Sequence, residues 1–370
     1  MLYQHMFLST RLGSMPELYQ CTLPLEARLY AAQVLNEDEN QRDEIIHRIK
    51  QWLETQPTLR ARSDVMNVLR FLRGCKFNEE KTKNKLINYY TMRSQLPEWF
   101  GNRDPELPQL MELLDMGVFL PLRHHDYEGH LVVIVRTAVH NPQVHQQSDV
   151  FKIGKMIVDL CMEEDEMFSV YGVVALFDLT GVSLGHAKQL PPSVIRKAVH
   201  AWQNCFPVRI RKMEFFNAPV HVNVVLNIFK RFMTEKLRQR VSVSLCFLLT
   251  TLVHIHSKGL ESLQDVIKPE LLPQEYGGSN GTLKQLIEQG LGTSVAPSWF
   301  IDVFPKPLDK RIGGTGKPVI ERLCQLPEMA LDGRYLQIPM QSHIANVLGC
   351  VHIDPQTRAL ECLFIYVSAS

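Results

Sequence analysis

The stretch YGVVALFDLTGV, residues 171–182, packs valine, leucine and phenylalanine into a short run between glycines. Short, nearly continuous apolar runs bounded by turn residues mark strands buried on both faces. A second such run, GHLVVIVRTAV, lies upstream at residues 129–139. Between them, DVFKIGKMIVDLCMEEDEMF (149–168) has the apolar spacing of a helix. Downstream, PSVIRKAVHAWQNCF (192–206) reads as a helix, VRIRKMEFFN (208–217) as a strand, and APVHVNVVLNIFKRFMTEKLRQR (218–240) as one helix. Strands alternating with long helices predict an α/β domain with a largely parallel sheet, running to the turn at Tyr276-Gly277-Gly278.

Upstream the texture is helical. DEIIHRIKQWLETQ (43–56) sets Ile45, Ile46, Ile49 and Leu53 on one stripe. SDVMNVLRFLRGCKF (63–77) opens with Ser63 as the expected N-cap, and KTKNKLINYYTMRSQ (81–95) continues in the same mode. The expected organisation is an extension at 1–42, a helical module at 43–100, the α/β domain at 105–280 and a tail of no recognisable period at 281–370.

Composition narrows the function classes. Hydrophobic content of 45% excludes a wholly disordered chain. A net charge of +1 argues against bulk attraction to nucleic acid but leaves room for a local basic patch. The eight cysteines are scattered without a C-x-x-C pair, and MLYQHMFLST carries no basic stretch ahead of an apolar core. These point to a reduced, cytosolic protein with free thiols. The apolar run VSVSLCFLLTTLV (241–253) is too short to cross a bilayer, which takes about 20 residues.

Three motifs suggest chemistry, and each reads better as structure. Gly181-Val182-Ser183-Leu184-Gly185 has the spacing of a hydrolase elbow, but Pro191-Pro192 follow too soon for a helix running straight behind Ser183. Histidine partners for it, His200, His221, His254 or His256, cannot be chosen from spacing. The near pairs His124-His125, His140/His145 and His254/His256 lack metal-binding spacing, so no metal is expected. Gly313–Lys317 resembles a phosphate loop, but Arg311 stands where its first glycine belongs and Pro318 replaces the Ser/Thr.

Residues 217–240 are the most informative. Pro219 suits a first helical turn, and Val225, Ile228, Phe229 and Phe232 recur at helical spacing. Lys230, Arg231, Lys236, Arg238 and Arg240 crowd the C-terminal end against one acid, Glu235. Lys236 and Arg240 share a face at i, i+4, and alternation in VRIR puts Arg209 and Arg211 on one face. An amphipathic core helix with a solvated end explains the pattern. So does a helix covering an apolar cavity that meets anionic lipid with its basic end.

FLRGCKFNEEKT (71–82), FDLTG (177–181), FPVRIRKMEFFNAP (206–219), FMTEKLRQR (232–240) and LPQEYGG (272–278), in this order, resemble the CRAL-TRIO family. The resemblance covers about residues 43–280. It implies an α/β domain whose mostly parallel sheet floors a lipid cavity, preceded by a small all-helical module and closed by a mobile helix at 217–232. It implies cavity walls from Val173, Phe177, Phe206, Val208, Met213, Val225, Ile228 and Phe229. It also implies a phosphatidylinositol bisphosphate site at Arg209, Arg211, Lys236 and Arg240, with Lys76 beside Cys75, where the family carries a basic residue. No cofactor and no catalytic residue are implied. The expected partners are a hydrophobic cargo (a tocopherol, a retinoid, a sterol-like molecule or a phospholipid) and an anionic membrane met reversibly from the cytoplasm. In similar proteins the chain passes from EKLRQR directly into a strand like VHIHS, so about 242–253 is expected to be an insert at a sheet edge.

Overall fold

A computed structural model of the chain describes residues 18–219, 222–245, 263, 266–290 and two short strands at 352–353 and 360–361. The helical part comprises α1 (Leu25–Leu35), α2 (Arg42–Glu54), α3 (Val65–Gly74), α4 (Glu79–Gln95), α5 (Pro97–Phe100) and α6 (Pro108–Asp115). The α/β part follows as β1 (Phe119–Pro121), β2 (Leu131–Arg136), α7 (Gln147–Glu164), α8 (Glu166–Tyr171), β3 (Val173–Asp178), α9 (Leu184–Lys188) and α10 (Pro192–His200). It continues as β4 (Ile210–Ala218), α11 (Asn223–Phe232), α12 (Glu235–Arg238), β5 (Val241–Leu245) and α13 (Leu283–Gly290). Residues 324–370 are a separate unit, whose described part is the antiparallel pair β6 (His352–Ile353) and β7 (Leu360–Glu361).

The sheet order β1-β2-β3-β4-β5 follows the chain order, with β1 antiparallel to β2 and the other pairs parallel. Strand alternation divides its side chains between two cores. Leu131, Val133, Val173, Phe177, Met213 and Phe215 face α7, α10 and α11. Val132, Ile134, Val174, Leu176 and Phe216 meet Leu263, Ile267, Leu272, Tyr276 and Leu286 on the other side. Two glycines are obligatory there. A Cβ on Gly172 would stand 2.2 Å from Arg209 O, and one on Gly278 would stand 1.9 Å from Leu272 O. Tyr276 of LPQEYGG donates to Asp178 Oδ2 of FDLTG at 2.8 Å, so two distant motifs meet at the end of β3.

The helical module is riveted to the α/β part by ion pairs. Asp159, Glu163 and Glu166 fall at i, i+4 and i+7 along α7 and α8. Arg93 and Arg103 bind Asp159 Oδ2 at 3.0 and 2.7 Å, Arg62 and Arg70 bind Glu163 Oε1 at 2.8 and 2.9 Å, and Arg73 binds Glu166 Oε1 at 2.8 Å. Burial opposes ionisation of Asp159, but the two guanidiniums hold its carboxyl below the usual range.

Several expectations need correcting. The N-cap of α3 is Asp64, not Ser63: its carboxylate accepts from Asn67 N at 2.9 Å while its backbone is extended. The helix expected over 149–168 breaks at Asp165, which caps α8 by accepting from Phe168 N. The helix expected over 218–240 is two helices. Asn217 and Ala218 still belong to β4, α11 starts only at Asn223, and the chain turns extended at Met233 and Thr234 before α12. The first part of the apolar run at 241–253 is strand β5, at the sheet edge and paired in parallel with β4. His254, His256 and Gly313–Lys317 lie outside the described residues. Helix α1, within the expected extension, packs through Ala27, Ala31 and Leu35 on Val170 and Tyr171, while α13, beyond residue 280, packs through Leu286 on the sheet.

Candidate functional site

The eight expected wall residues belong to one continuous apolar cluster. Val173, Phe206 and Met213 are buried within it, and Phe177, Val208, Val225, Ile228 and Phe229 are half-buried against it. Phe177 stacks on Phe215 at 4.5 Å, which tiles the sheet surface beneath α11. Helix α11 buries Leu226 but leaves Val224 57% exposed. It lies on the core without being sunk in it. An open groove of about 710 Å³ elsewhere, beside α13, is lined by Asp115, Arg136, Glu275, Lys284 and Glu288 among others and is too charged to be an apolar chamber.

Helix α10 runs into a π-helical turn, Ala201–Cys205, before the chain enters β4. Such turns disturb the regular ladder and set side chains at angles that a straight helix does not offer. This one aims Trp202 at Phe206, ring centroids 5.7 Å apart, and sends Gln203 to the break between α11 and α12. Gln203 donates to Phe232 O at 3.2 Å and accepts from Thr234 N at 2.6 Å. From the module side, Lys85 donates to Gln203 O and Phe206 O, and burial lowers its pKa. Sequence reasoning missed Gln203, Trp202 and Lys85, since a π-turn leaves no periodic signal.

Arg209, Arg211, Lys236 and Arg240 are placed by a route other than the one spacing suggests. A register shift between Val173 and Val174 pairs them with Ile210 and Lys212 and skips Arg211. Arg211 is thus re-aimed by a bulge, not by strand alternation, and its Nε contacts His130 Nε2 at 3.0 Å. Helix α12 ends at Arg238, so Lys236 and Arg240 do not share a helical face. Arg240 lies in the following turn, its guanidinium donating to Ile210 O at 2.5 Å. The cations nonetheless sense one another. Arg240 foremost lowers the pKa of Lys236, with smaller effects from Lys76, Lys81 and Arg209. Burial first, then Arg211, Arg240 and Arg73, pushes Arg209 down to about 10 despite an opposing effect of Tyr30. Arg240 is lowered by burial and by Arg211. Two nitrogens of Arg209, Nε and Nη1, are buried without a hydrogen-bond partner. No carboxylate figures in these shifts, so the cluster is suited to a multiply charged anion.

Ser183 has a neighbour that spacing did not reveal. Its Oγ lies 2.9 Å from His186 Nδ1, its backbone N–H donates to the same nitrogen at 3.1 Å, and His186 Nε2 lies 3.1 Å from His140 O. The pair closes the N-terminus of the five-residue α9, with Ser183 as N-cap and exposed. Burial, with His186 and His145 nearby, pushes His140 down to about 4. Among the described residues no cluster of His, Cys, Asp and Glu is arranged to hold a metal ion. Nor is any helix there long and apolar enough to cross a membrane.

Comparison with known proteins agrees with this architecture. Residues 38–110 match the Pinta-like UBA domain and residues 115–278 match the CRAL/TRIO domain. The chain is 26% identical to Clavesin-1 of Xenopus laevis over 246 residues, covering 66% of this chain and 70% of that one. It is 28% identical to alpha-tocopherol transfer protein-like of Homo sapiens over 269 residues, covering 72% and 74%. Among solved structures it is similar to that of Sfh5, with a TM-score of 0.48 at 14% identity, covering 72% of this chain and 96% of the other. With the five ordered motifs, the parallel sheet and the helical module in front of it, residues 115–278 are a CRAL/TRIO domain preceded by a UBA-like module at 38–110.

Proposed function

We propose that this protein is a non-enzymatic carrier that holds a lipophilic small molecule under α11 and exchanges it at membranes bearing phosphatidylinositol bisphosphate. One observation carries the reading. The apolar underside of α11 and the cluster of Arg209, Arg211, Lys236 and Arg240 are joined by the α11–α12 segment, which carries Lys236 and ends just before Arg240. Burial of an apolar cargo contributes roughly 25 cal/mol per Å². A headgroup bound near the lid's end favours whichever lid position presents the cations best, and so shifts the lid population. The name of the human relative, alpha-tocopherol transfer protein-like, supports a carried lipophile. In this reading the protein works in the cytoplasm and touches the membrane reversibly. Lys76, exposed on the turn after α3, contributes at the patch margin.

The test is mass spectrometry of organic extracts from the purified protein beside Val225→Asp. A buried, unpaired carboxylate is costly, so the variant is expected to lose cargo while staying folded. Equal cargo in folded Val225→Asp would remove α11 from the wall. Headgroup binding with no extractable lipophile would make the protein a phosphoinositide-sensing adaptor instead.

A further inference from the structure

Helix α7 presents Phe151, Lys155, Val158 and Met162 along the side that joins the apolar core under the lid. Lys155 is the exception in that stripe, an amine only 2% exposed. Three rings surround its Nζ, with centroids at 4.6 Å for Trp99, 5.0 Å for Phe151 and 5.7 Å for Trp202. The neighbouring acid, Asp159, is already taken by Arg93, Arg103 and the Tyr89 hydroxyl. Among the described residues Lys155 therefore makes ring contacts but no hydrogen bond or ion pair.

Rings stabilise an ammonium through their negative faces but leave its three N–H donors without directional acceptors. An amine kept in that state makes no sense as a stabilising core residue, because a methionine would fill the space at no desolvation cost. The cage also adjoins the proposed cargo wall. Trp202 touches both Lys155 and Phe206, and Phe206 is one of the wall positions.

We propose that Lys155 is the polar anchor of the cargo site and that the preferred cargo is a lipophile ending in a carboxylate. The inference rests on the carrier reading. An entering carboxylate supplies the missing acceptor and forms an ion pair enclosed by the rings, while the hydrocarbon runs along Phe206 toward the underside of α11. The groups that act on Lys155 agree with this. Burial foremost lowers it, Asp159 raises it, Arg103 lowers it and Cys205 raises it, leaving it at about 7. The free amine is thus partly unprotonated at neutral pH and takes up a proton as the acid binds.

The test uses delipidated full-length protein at pH 7.4 with oleic acid, oleyl alcohol and methyl oleate, read by quenching of Trp99 and Trp202. The parent is expected to bind the acid at least tenfold more tightly than the alcohol or ester. Calorimetry in buffers of different ionisation enthalpy is expected to show proton uptake with the acid alone. Lys155→Met is expected to lose the preference and the proton uptake while binding the alcohol and ester at least as well as the parent. Equal binding of all three by the parent, or a preference and proton uptake that survive in Lys155→Met, overturns the anchor and leaves the carrier reading standing. Binding of none of the three overturns the carrier reading itself.

Discussion

Gln203 accepts a hydrogen bond from the backbone N–H of Thr234 at 2.6 Å, and the same side chain donates to Phe232 O at 3.2 Å. One amide thus holds both sides of the break between the lid helix and the short helix that follows it. A lid that swings about Met233 and Thr234 must first release Gln203. Gln203→Ala is expected to cost about 0.5–1.5 kcal/mol of stability, the net range for a typical intramolecular hydrogen bond. It is also expected to raise amide exchange across residues 229–237 and speed cargo loss. Gln203→Glu keeps the acceptor for Thr234 but sets a carboxylate against Phe232 O, so it should loosen only the α11 end. Exchange unchanged in both variants would show that the lid does not hinge there.

The basic patch is built from a bulge residue, a turn residue, a short helix and the start of a strand, so its two halves depend on different parts of the fold. Arg209→Ala/Arg211→Ala and Lys236→Ala/Arg240→Ala are each expected to weaken binding to vesicles containing phosphatidylinositol bisphosphate at least tenfold at low salt. The difference should narrow as salt rises, because exposed charges are screened within about 8 Å at physiological ionic strength. Co-sedimentation measures it. An effect from only one pair would mean that the halves do not serve one anion.

Asp159 is the centre of the docking between the helical module and α7. Asp159→Asn leaves Arg93 and Arg103 buried beside a neutral amide, and breaking such a pair costs about 3–5 kcal/mol. Glu163 is more exposed, at 23%, so Glu163→Gln should cost much less. Urea denaturation of both variants checks the order, and the reverse order would place the main docking contact at Glu163.

His140 sits against His186 and His145, at ring distances of 4.9 and 6.2 Å, with Glu112 3.2 Å from His145. Its folded pKa of about 4 lies below its unfolded value of 6.5, so the unfolded chain binds more protons between those limits. The stability this group permits is whole above pH 6.5 and is lost as pH falls toward 4. His140→Leu should therefore flatten the acid side of the stability profile by on the order of 2 kcal/mol. Parallel profiles for parent and variant between pH 7 and pH 4 would move the acid sensitivity elsewhere.

Ser183 and His186 have the spacing of a nucleophile and its base, yet the imidazole nitrogen already accepts from the Ser183 backbone, and the serine is exposed at a helix start. A fluorophosphonate probe is expected to leave Ser183 unlabelled in the folded protein. Labelling that disappears in His186→Ala would establish a reactive pair.

The sheet was legible because buried parallel strands leave dense apolar runs, and FDLTG and GHLVVIVRTAV carry theirs openly. The residues proposed as walls were read through resemblance and regular spacing together, and they share one apolar cluster. What spacing could not show arises from interruptions in regularity. The π-turn at Ala201–Cys205, the bulge at Arg211 and the extended link at Met233–Thr234 each re-aim residues that a continuous helix or strand would place elsewhere. Thr234 immediately before Glu235 is a helix-start signal that marks the second helix in hindsight. Lys155 was not singled out from the sequence. Its three rings come from α5, α7 and the π-turn, and no local pattern joins them. The acidic stripe of α7 and α8 likewise has its arginines in other elements.

Arg240 belongs to two structures at once. Its carbonyl oxygen accepts from Met213 N at 2.8 Å and so enters the sheet ladder at a residue proposed for the cargo wall, while its side chain belongs to the basic patch. In a carrier of the kind proposed, headgroup and cargo then pull on opposite ends of one peptide link less than a side chain apart. Their affinities are bound by reciprocity: whatever factor the headgroup takes from cargo binding, the cargo takes from headgroup binding. On that reading a cargo-loaded protein would hold the headgroup less tightly than an emptied one, and Arg240 would set the size of that difference while the cargo gradient sets the direction of net transfer.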